Sequence, residues 1–448
     1  MEQISTDTLV IGGGLAGLAA GYALEGRRPY IIAEKCSSPG GYSATIRHKG
    51  YCFDFSGHLL HLRWPRTTEL ILNLLGENCS QMERKAVIYM CGRYIPFPFQ
   101  ANLWALPEQE RRECLDGFIK ATRSPGFYAK TNPSEEKYTT WSNRIFGSGI
   151  SRHFMLPYNY KLLQHDLGRV TTEWCAPFVP IPDKDEIIRG ASAENNKKFG
   201  YNATFRYPIR GGIGALAEAF AAKLSSIMYG QKVISVDIRE KTATLFNSKT
   251  EKYTQVRFKN LINTSPLPDF IKMTRDVPEE ISRRARKLKY QPIYVLNLGV
   301  RKPVPDFHWA YFPEDDFPFY RAGISGNFSS EITPQGRSSF YLEFSAIPDF
   351  SDIEKKTAKA LLKCGFIKDE NQIETSLWLK INPAYVIYDT DRAEAMPRIM
   401  SWLDENGIQS IGRYGAWKYS FMEEAVKEGL EAADRIMQLA VLKKVTDR

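Results

Sequence analysis

One stretch near the N-terminus limits the fold more than any other. Thr6–Ile11 is a short apolar strand that runs into Gly12-Gly-Gly-Leu-Ala-Gly17, and Ala16–Leu24 continues with helical spacing of Ala and Leu. Tyr30–Ala33 is a second apolar strand, with Glu34 at its end. Strand, tight turn, helix, strand and acid, in that order, form the context in which Gly-x-Gly-x-x-Gly binds a dinucleotide. Gly12 permits the turn, Gly14 lets the backbone approach a pyrophosphate, and Gly17 lets the helix pack on the sheet. The helix N-terminus offers free N–H groups to the phosphates. Glu34 can accept hydrogen bonds from ribose hydroxyls, and its charge would repel a 2′-phosphate.

At 448 residues the chain exceeds what a single hydrophobic core serves, so two or three lobes are expected. The net charge of +9 is spread out, and the densest basic run, Ser282–Lys289, has the look of one exposed helix face. Without a continuous basic stripe and a recognisable module, nucleic-acid binding is not expected. A diffuse positive field favours anionic small molecules. The cysteines (Cys36, Cys52, Cys79, Cys91, Cys114, Cys175, Cys364) form no Cys-x-x-Cys. Reduced thiols and a cytoplasmic address are expected from that pattern. Because the sequence goes straight into a strand at its N-terminal end, no signal peptide is expected, and no apolar run approaches the ~20 residues of a membrane span.

Tyr51–Arg63 holds two of the six histidines, His58 and His61. Phe53, Phe55, Leu59 and Leu60 interleave with the polar residues, which suits a buried strand and turn. No third ligand stands at a usual metal spacing, so no metal is expected.

After Glu34 comes Lys35-Cys-Ser-Ser-Pro-Gly-Gly-Tyr-Ser-Ala44, and near the other end Ile408–Ile411 runs into Gly412-Arg413 ahead of an amphipathic stretch, Glu423–Ile436. The first resembles the second flavin-binding segment of the amine oxidase-like flavoproteins, in which a Gly-Gly pair passes the flavin. Gly41 and Ser43 fall within it. The second resembles their closing flavin segment. An NAD enzyme has no need of the C-terminal piece, so FAD is the expected cofactor.

The expected fold is α/β, a Rossmann-type FAD-binding domain with a helical insertion and an antiparallel β-sheet substrate domain. Residues 1–85, 208–270 and 402–448 would form the discontinuous FAD-binding domain, 102–174 the helical lobe, and 86–101, 175–207 and 271–401 the sheet. Helices are expected over Leu106–Thr122, Ser134–Phe146, Gly149–Tyr158 and Ala215–Ser225. Strands are expected over Lys232–Ile238, Thr242–Phe246, Tyr253–Phe258, Pro292–Val300, Trp309–Phe312 and Ser338–Ser345.

Tyr94-Ile-Pro-Phe-Pro-Phe-Gln-Ala-Asn-Leu, Phe154-Met-Leu-Pro-Tyr-Asn159 and Asn202-Ala-Thr-Phe-Arg-Tyr-Pro-Ile-Arg-Gly-Gly212 together resemble UDP-galactopyranose mutase. Tyr311–Arg321 and Gly412–Tyr419 resemble its eukaryotic-type branch. The resemblance runs in order along nearly the full chain. It implies a non-redox ring contraction in which N5 of the reduced flavin attacks the anomeric carbon of UDP-galactose. UDP then leaves, the sugar recloses from the flavin adduct as a furanose, and UDP returns. NADH or NADPH is the implied reductant, and an anionic nucleotide sugar the implied partner.

The resemblance also implies roles. Arg321 matches an arginine that contacts the diphosphate beside the flavin, and Tyr385 and Tyr419 match tyrosines on the phosphates. His58 matches a flavin neighbour on a redox-sensitive loop, and His61 matches no role and is expected to pack. Phe99, Gln100, Phe154, Asn159 and Tyr311 match substrate contacts, the first four in the uridine pocket. Asn202 matches a residue near the leaving phosphate, and Arg84, Val233, Gly412 and Arg413 match flavin contacts. The bland alternative for Arg321 is an ion pair with Asp315 or Asp316.

Three positions depart from the pattern. Phe178 stands where the family has a second diphosphate arginine, Phe328 where it has a phosphate-contacting tyrosine, and Leu163 where it has tryptophan. Losing a charge-assisted contact removes about 1.5–3 kcal/mol. Either Arg189, Lys197 or Lys198 restores the charge, or the scaffold serves a different nucleotide sugar. The remaining alternatives are an oxidase or desaturase of the protoporphyrinogen oxidase and amine oxidase type and a non-catalytic FAD-stabilised binding protein. The oligomeric state is not readable.

Overall fold

The computed structural model describes residues 2–195, 197, 199–200, 202–347 and 349–446. Five short strands form a wholly parallel sheet in the order Ile227–Tyr229, Tyr30–Glu34, Thr8–Ile11, Asn260–Asn263, Ile408–Ser410. Thr8–Ile11 is buried throughout because it lies in the middle of this sheet, under the helix Leu15–Leu24. A near-continuous apolar strand is what such a position requires. All five strands end at the same edge, so the turns after Ile11, Glu34, Asn263 and Ser410 gather there. In open parallel sheets that edge is where ligands bind.

The long helix Met422–Thr446 packs along Leu15–Leu24, which brings the two ends of the chain together. Its Glu423 is fully buried and accepts the Arg63 and Trp64 N–H groups at 2.6 and 3.0 Å and the Thr67 hydroxyl at 2.7 Å. Those donors sit at the start of the helix Pro65–Leu75, so a carboxylate from a distant helix caps it. The histidine loop before this helix is thereby tied to the C-terminal segment.

A second sheet has seven strands in the order Ile373–Val386, Tyr290–Arg301, Arg337–Phe344, Arg321–Ile324, Trp309–Tyr311, Ala86–Met90, Arg93–Pro96. It is antiparallel except that Trp309–Tyr311 runs parallel to Ala86–Met90, which differs from the expected all-antiparallel sheet. The parallel pair arises because the two strands come from remote parts of the chain rather than from one hairpin. The expected meander is present as Gln231–Asp237, Thr242–Asn247 and Lys252–Arg257, and Glu2–Ser5 adds to its edge in parallel.

A helical region follows the strand Arg93–Pro96 along the chain. Glu108–Thr122 forms as expected, but the next helix starts later, at Tyr138, and runs to Ile150 across a kink at Gly147 (φ 75°). A π-helical turn, Ser151–Met155, and the helix Leu156–Leu163 follow. The basic run 282–289 lies in and just beyond the helix Glu279–Arg286, and acids partner four of its cations. Arg284 meets Glu280 at 2.9 Å, Arg286 meets Glu279 at 2.5 Å, Lys287 meets Asp391 at 3.2 Å, and Lys289 meets Asp389 at 2.6 Å. Among the described residues no helix is long and apolar enough to cross a membrane, and no group of three His, Cys, Asp or Glu side chains is placed to hold a metal ion.

Candidate active site

A cavity of about 1170 Å³ runs from the carboxyl edge of the parallel sheet to the face of the seven-stranded sheet. At its dinucleotide end the chain turns at Gly12, whose φ of +101° L side chains rarely adopt. A Cβ on Gly17 would stand 2.0 Å from the Gly12 carbonyl oxygen, so only glycine lets the helix approach the strand there. Gly14 is different: a Cβ on it would meet no protein atom within 4 Å, and its backbone faces the cavity. Glu34 is buried at the same end, where it accepts the Gly13 N–H at 2.6 Å and the Cys36 N–H at 2.7 Å. These two bonds fix the carboxylate at the strand end with lone pairs left for a ribose. An open cradle at a helix N-terminus, beside an oriented acid and the Gly40–Gly41 loop, fits the diphosphate and ribose of FAD. Gly41, Ser43, Val233, Gly412 and Arg413 also line the cavity. The Gly412 N–H donates to Glu428 at 2.6 Å.

At the other end, strand register builds the wall. Tyr311 pairs with Arg321, and Arg321 with Glu343, across three adjacent strands. Arg321 donates to both oxygens of Glu343, Nε at 2.8 Å and Nη2 at 2.7 Å. Ser56 donates its hydroxyl to the same carboxylate. Burial alone would raise the pKa of Glu343, but the Arg321 charge and the hydrogen bonds from Arg321 and Ser56 together hold the carboxyl below the usual range. The partner of Arg321 is therefore Glu343 rather than Asp315 or Asp316, and Asp316 pairs with Lys363 at 2.6 Å. Register, which decides this pairing, is invisible in local sequence.

Tyr385, Tyr419 and Arg413 complete this side. The two phenol rings meet edge to face at 5.9 Å, and the Arg413 guanidinium lies 5.1 Å from the Tyr419 ring centre. Burial raises the pKa of both phenols, so both remain protonated donors. His58 lines the cavity with its Nδ1 buried and unpartnered. Burial, helped by Arg413, lowers its pKa to about 4, so its ring is neutral. His61 also lines the cavity, edge-on to Phe421.

Gln100, Phe154, Asn159 and Asn202 line the cavity as well. Gln100 donates to the Pro180 carbonyl at 2.5 Å, and Asn159 donates to the Tyr138 hydroxyl at 2.7 Å. Those bonds fix both amides. Two expected residues stand behind the wall instead. Phe99 is fully buried and stacks on Phe154 at 4.9 Å, while Phe97 takes the exposed face. Arg84 lies under Phe97, 4.5 Å from its ring centre, and bonds to Asn202 and the Phe199 carbonyl.

Of the three departures, Phe178 and Leu163 line the cavity. Phe178 packs against Phe421 at 5.1 Å and Tyr419 at 5.8 Å. Phe328 does not line it and sits in a buried cluster with Phe205, Tyr207 and His308. Lys197 bonds to Glu186, Arg189 is exposed away from the cavity wall, and Lys198 lies outside the described residues. The cations that do line the cavity are Lys35, Lys232, Lys272, Arg321 and Arg413. Sequence reasoning missed Ser56 and Glu343. A lone charge in the apolar strand Phe340–Phe344 was the available signal for the second.

Three solved structures place this geometry. The reduced UDP-galactopyranose mutase is 28% identical with a TM-score of 0.89, over 97% of this chain and 96% of that one. Wild-type putrescine oxidase bound to putrescine is 13% identical with a TM-score of 0.63, over 97% and 100%. The CLA-producing fatty acid isomerase from P. acnes is 14% identical with a TM-score of 0.60, over 96% and 98%. The last two share the fold alone. The family model for flavin-containing amine oxidoreductases matches residues 15–437, nearly the whole of the cavity-forming chain, and the protein belongs to that family.

Proposed function

We propose that this chain is a flavin-dependent sugar mutase that interconverts the pyranose and furanose forms of UDP-galactose or a closely related nucleotide sugar. One observation carries the reading. The row Tyr311, Arg321, Glu343 puts an oriented guanidinium on the same cavity as the phenols Tyr385 and Tyr419 and the Gly12–Gly17 turn. In this reading residues 1–85, 208–270 and 402–448 hold FAD, and the sheet and the helical lobe 102–174 enclose the substrate. FAD bound there and kept reduced, with NADH or NADPH as the reductant and the cytoplasm as the setting, would supply an electron-rich nucleophile without net loss of electrons.

The chain's own residues do the rest. Gly14, Glu34, Gly41, Ser43, Val233, Gly412 and Arg413 bind the cofactor. Arg321, Tyr385 and Tyr419 hold the diphosphate before its bond to the sugar breaks and take up the charge that develops on departure. Phe154 offers a face to the base, with Phe99 stacked behind it, and Gln100 and Asn159 read its edge. Asn202, held by Arg84, stands toward the phosphates. His58, neutral, keeps the flavin side free of an extra cation. Holding the sugar carbon in line with the nucleophile is what this enclosure contributes to rate.

Phe178 favours a second reading, a mutase for another nucleotide sugar, because it replaces charge with an aromatic face on the cavity wall. Chromatography of UDP-galactofuranose incubated with the FAD-loaded protein, with and without dithionite, separates the readings. Conversion to UDP-galactopyranose only under reduction supports the first. No conversion with FAD bound and reducible sets it aside.

A further inference from the structure

Arg392 has no place in the reaction as described, yet its surroundings are unusually specific. It sits in the first turn of the helix Thr390–Glu405, its side chain 9% exposed. Nε and Nη2 both donate to the Trp417 carbonyl, at 3.1 and 3.0 Å. Nη1 donates to Glu173 at 3.2 Å. The guanidinium lies 3.8 Å from the centre of the Tyr388 ring, and the hydroxyl of that ring accepts the Tyr419 N–H at 2.8 Å.

One side chain thus joins three segments that form the cavity wall. Glu173 precedes Trp174, whose ring meets Tyr419 edge to face at 6.0 Å. Tyr388 follows the strand that carries Tyr385, and its carbonyl accepts the Thr171 N–H at 2.6 Å. Trp417 occupies the left-handed region at φ 49° with its indole fully buried, in the turn between Arg413 and Tyr419. A non-glycine residue keeps such a conformation only where its surroundings over-determine it. The forked guanidinium on its carbonyl is such a constraint, and a lysine could not reproduce the fork.

We propose that Arg392 is a positioning residue, which sets the Trp417 turn and thereby aims the Tyr419 phenol into the cavity. The reaction it serves is the one proposed above, but the test of its position does not need turnover. 3-Fluorotyrosine incorporated at position 419 of the full-length, FAD-loaded protein reports the ring's surroundings through its fluorine resonance. Arg392→Met should shift or split that resonance, and Arg392→Lys should restore it only in part. Arg392→Gln keeps a polar side chain there but lacks the fork on the Trp417 carbonyl, so it serves where Arg392→Met does not fold. It too should move the signal. An unmoved, single resonance in the folded Arg392→Met or Arg392→Gln protein overturns the proposal. In the mutase assay the same variants should lose kcat/KM on the order of 100-fold while retaining FAD absorbance. A moved resonance in a protein that never converted UDP-galactofuranose would sink the mutase reading and leave the positioning role standing.

Discussion

Arg321 and Glu343 face each other on neighbouring antiparallel strands, and the carboxylate is wholly buried while the guanidinium reaches the cavity. Bidentate contact at 2.8 and 2.7 Å fixes the plane of the guanidinium, and with it the direction in which its remaining N–H groups point. The pair is at once a structural ion pair and the means of orienting a substrate contact.

Removing one partner leaves the other charge stranded. Arg321→Ala should cost the fold about 3–5 kcal/mol because Glu343 remains buried without its cation. The double variant Arg321→Ala/Glu343→Ala should recover most of that stability and none of the activity. Urea unfolding of the single and double variants tests the first point. A loss in the double variant equal to the sum of the losses in Arg321→Ala and Glu343→Ala would mean that the pair is not coupled.

The glycines at the dinucleotide end give a cleaner contrast. Gly17→Ala places a methyl 2.0 Å from the Gly12 carbonyl oxygen, so it should disturb the helix–strand contact and the yield of folded protein. Gly14→Ala meets no protein atom within 4 Å, and Gly14 has φ −74° and ψ 176°, which alanine adopts freely. It should therefore fold normally and lose FAD on dilution. Flavin content by absorbance, set against the melting temperature, distinguishes the two. Full FAD retention in Gly14→Ala would place the diphosphate elsewhere.

How much of this was legible depended on whether a feature was local. The dinucleotide end was readable because strand, turn, helix and acid are contiguous and each glycine has one steric reason to be there. The partner of Arg321 was not, since it lies 22 residues on and is chosen by strand register. That Phe97 rather than Phe99 lines the cavity was hidden for a similar reason. Both belong to one short aromatic run, and only the packing of Phe99 on Phe154 decides which ring faces the cavity. Arg392 was invisible because two of its three partners, Glu173 and Trp417, lie far from it in the sequence.

Acid should weaken the fold through His308. It is 6% exposed, accepts the Lys85 N–H at 2.9 Å, and burial lowers its pKa from 6.5 to about 4. Between those values the unfolded chain binds a proton that the folded one refuses, so stability falls as pH drops from 6.5 toward 4, by on the order of 3 kcal/mol for this group. His58 and His61, also held near 4, act in the same sense. Asp54, which burial raises to about 6, opposes them, because the folded protein takes up its proton first. The net change follows the histidines. His308→Gln should flatten the profile, and urea midpoints at pH 7 and pH 5 measure it. An unchanged difference between the two pH values would remove His308 as a cause.

Phe178 offers the sharpest test of what the cavity holds. Its ring lines the same cavity as Arg321 and packs against Phe421 and Tyr419, so a cation at this position would face whatever group Tyr419 holds. If that group is a diphosphate, Phe178→Arg adds a charge-assisted hydrogen bond of about 1.5–3 kcal/mol, roughly 10- to 100-fold in affinity. Calorimetric titration of UDP into the FAD-loaded wild-type and variant proteins should show that gain, and it should shrink as salt is raised. Some of the gain is lost with the Phe421 contact, so Phe178→Leu serves as the control for packing alone. Weaker UDP binding in Phe178→Arg than in Phe178→Leu would mean that the diphosphate lies away from Tyr419. The aromatic face would then belong to an apolar part of a different substrate.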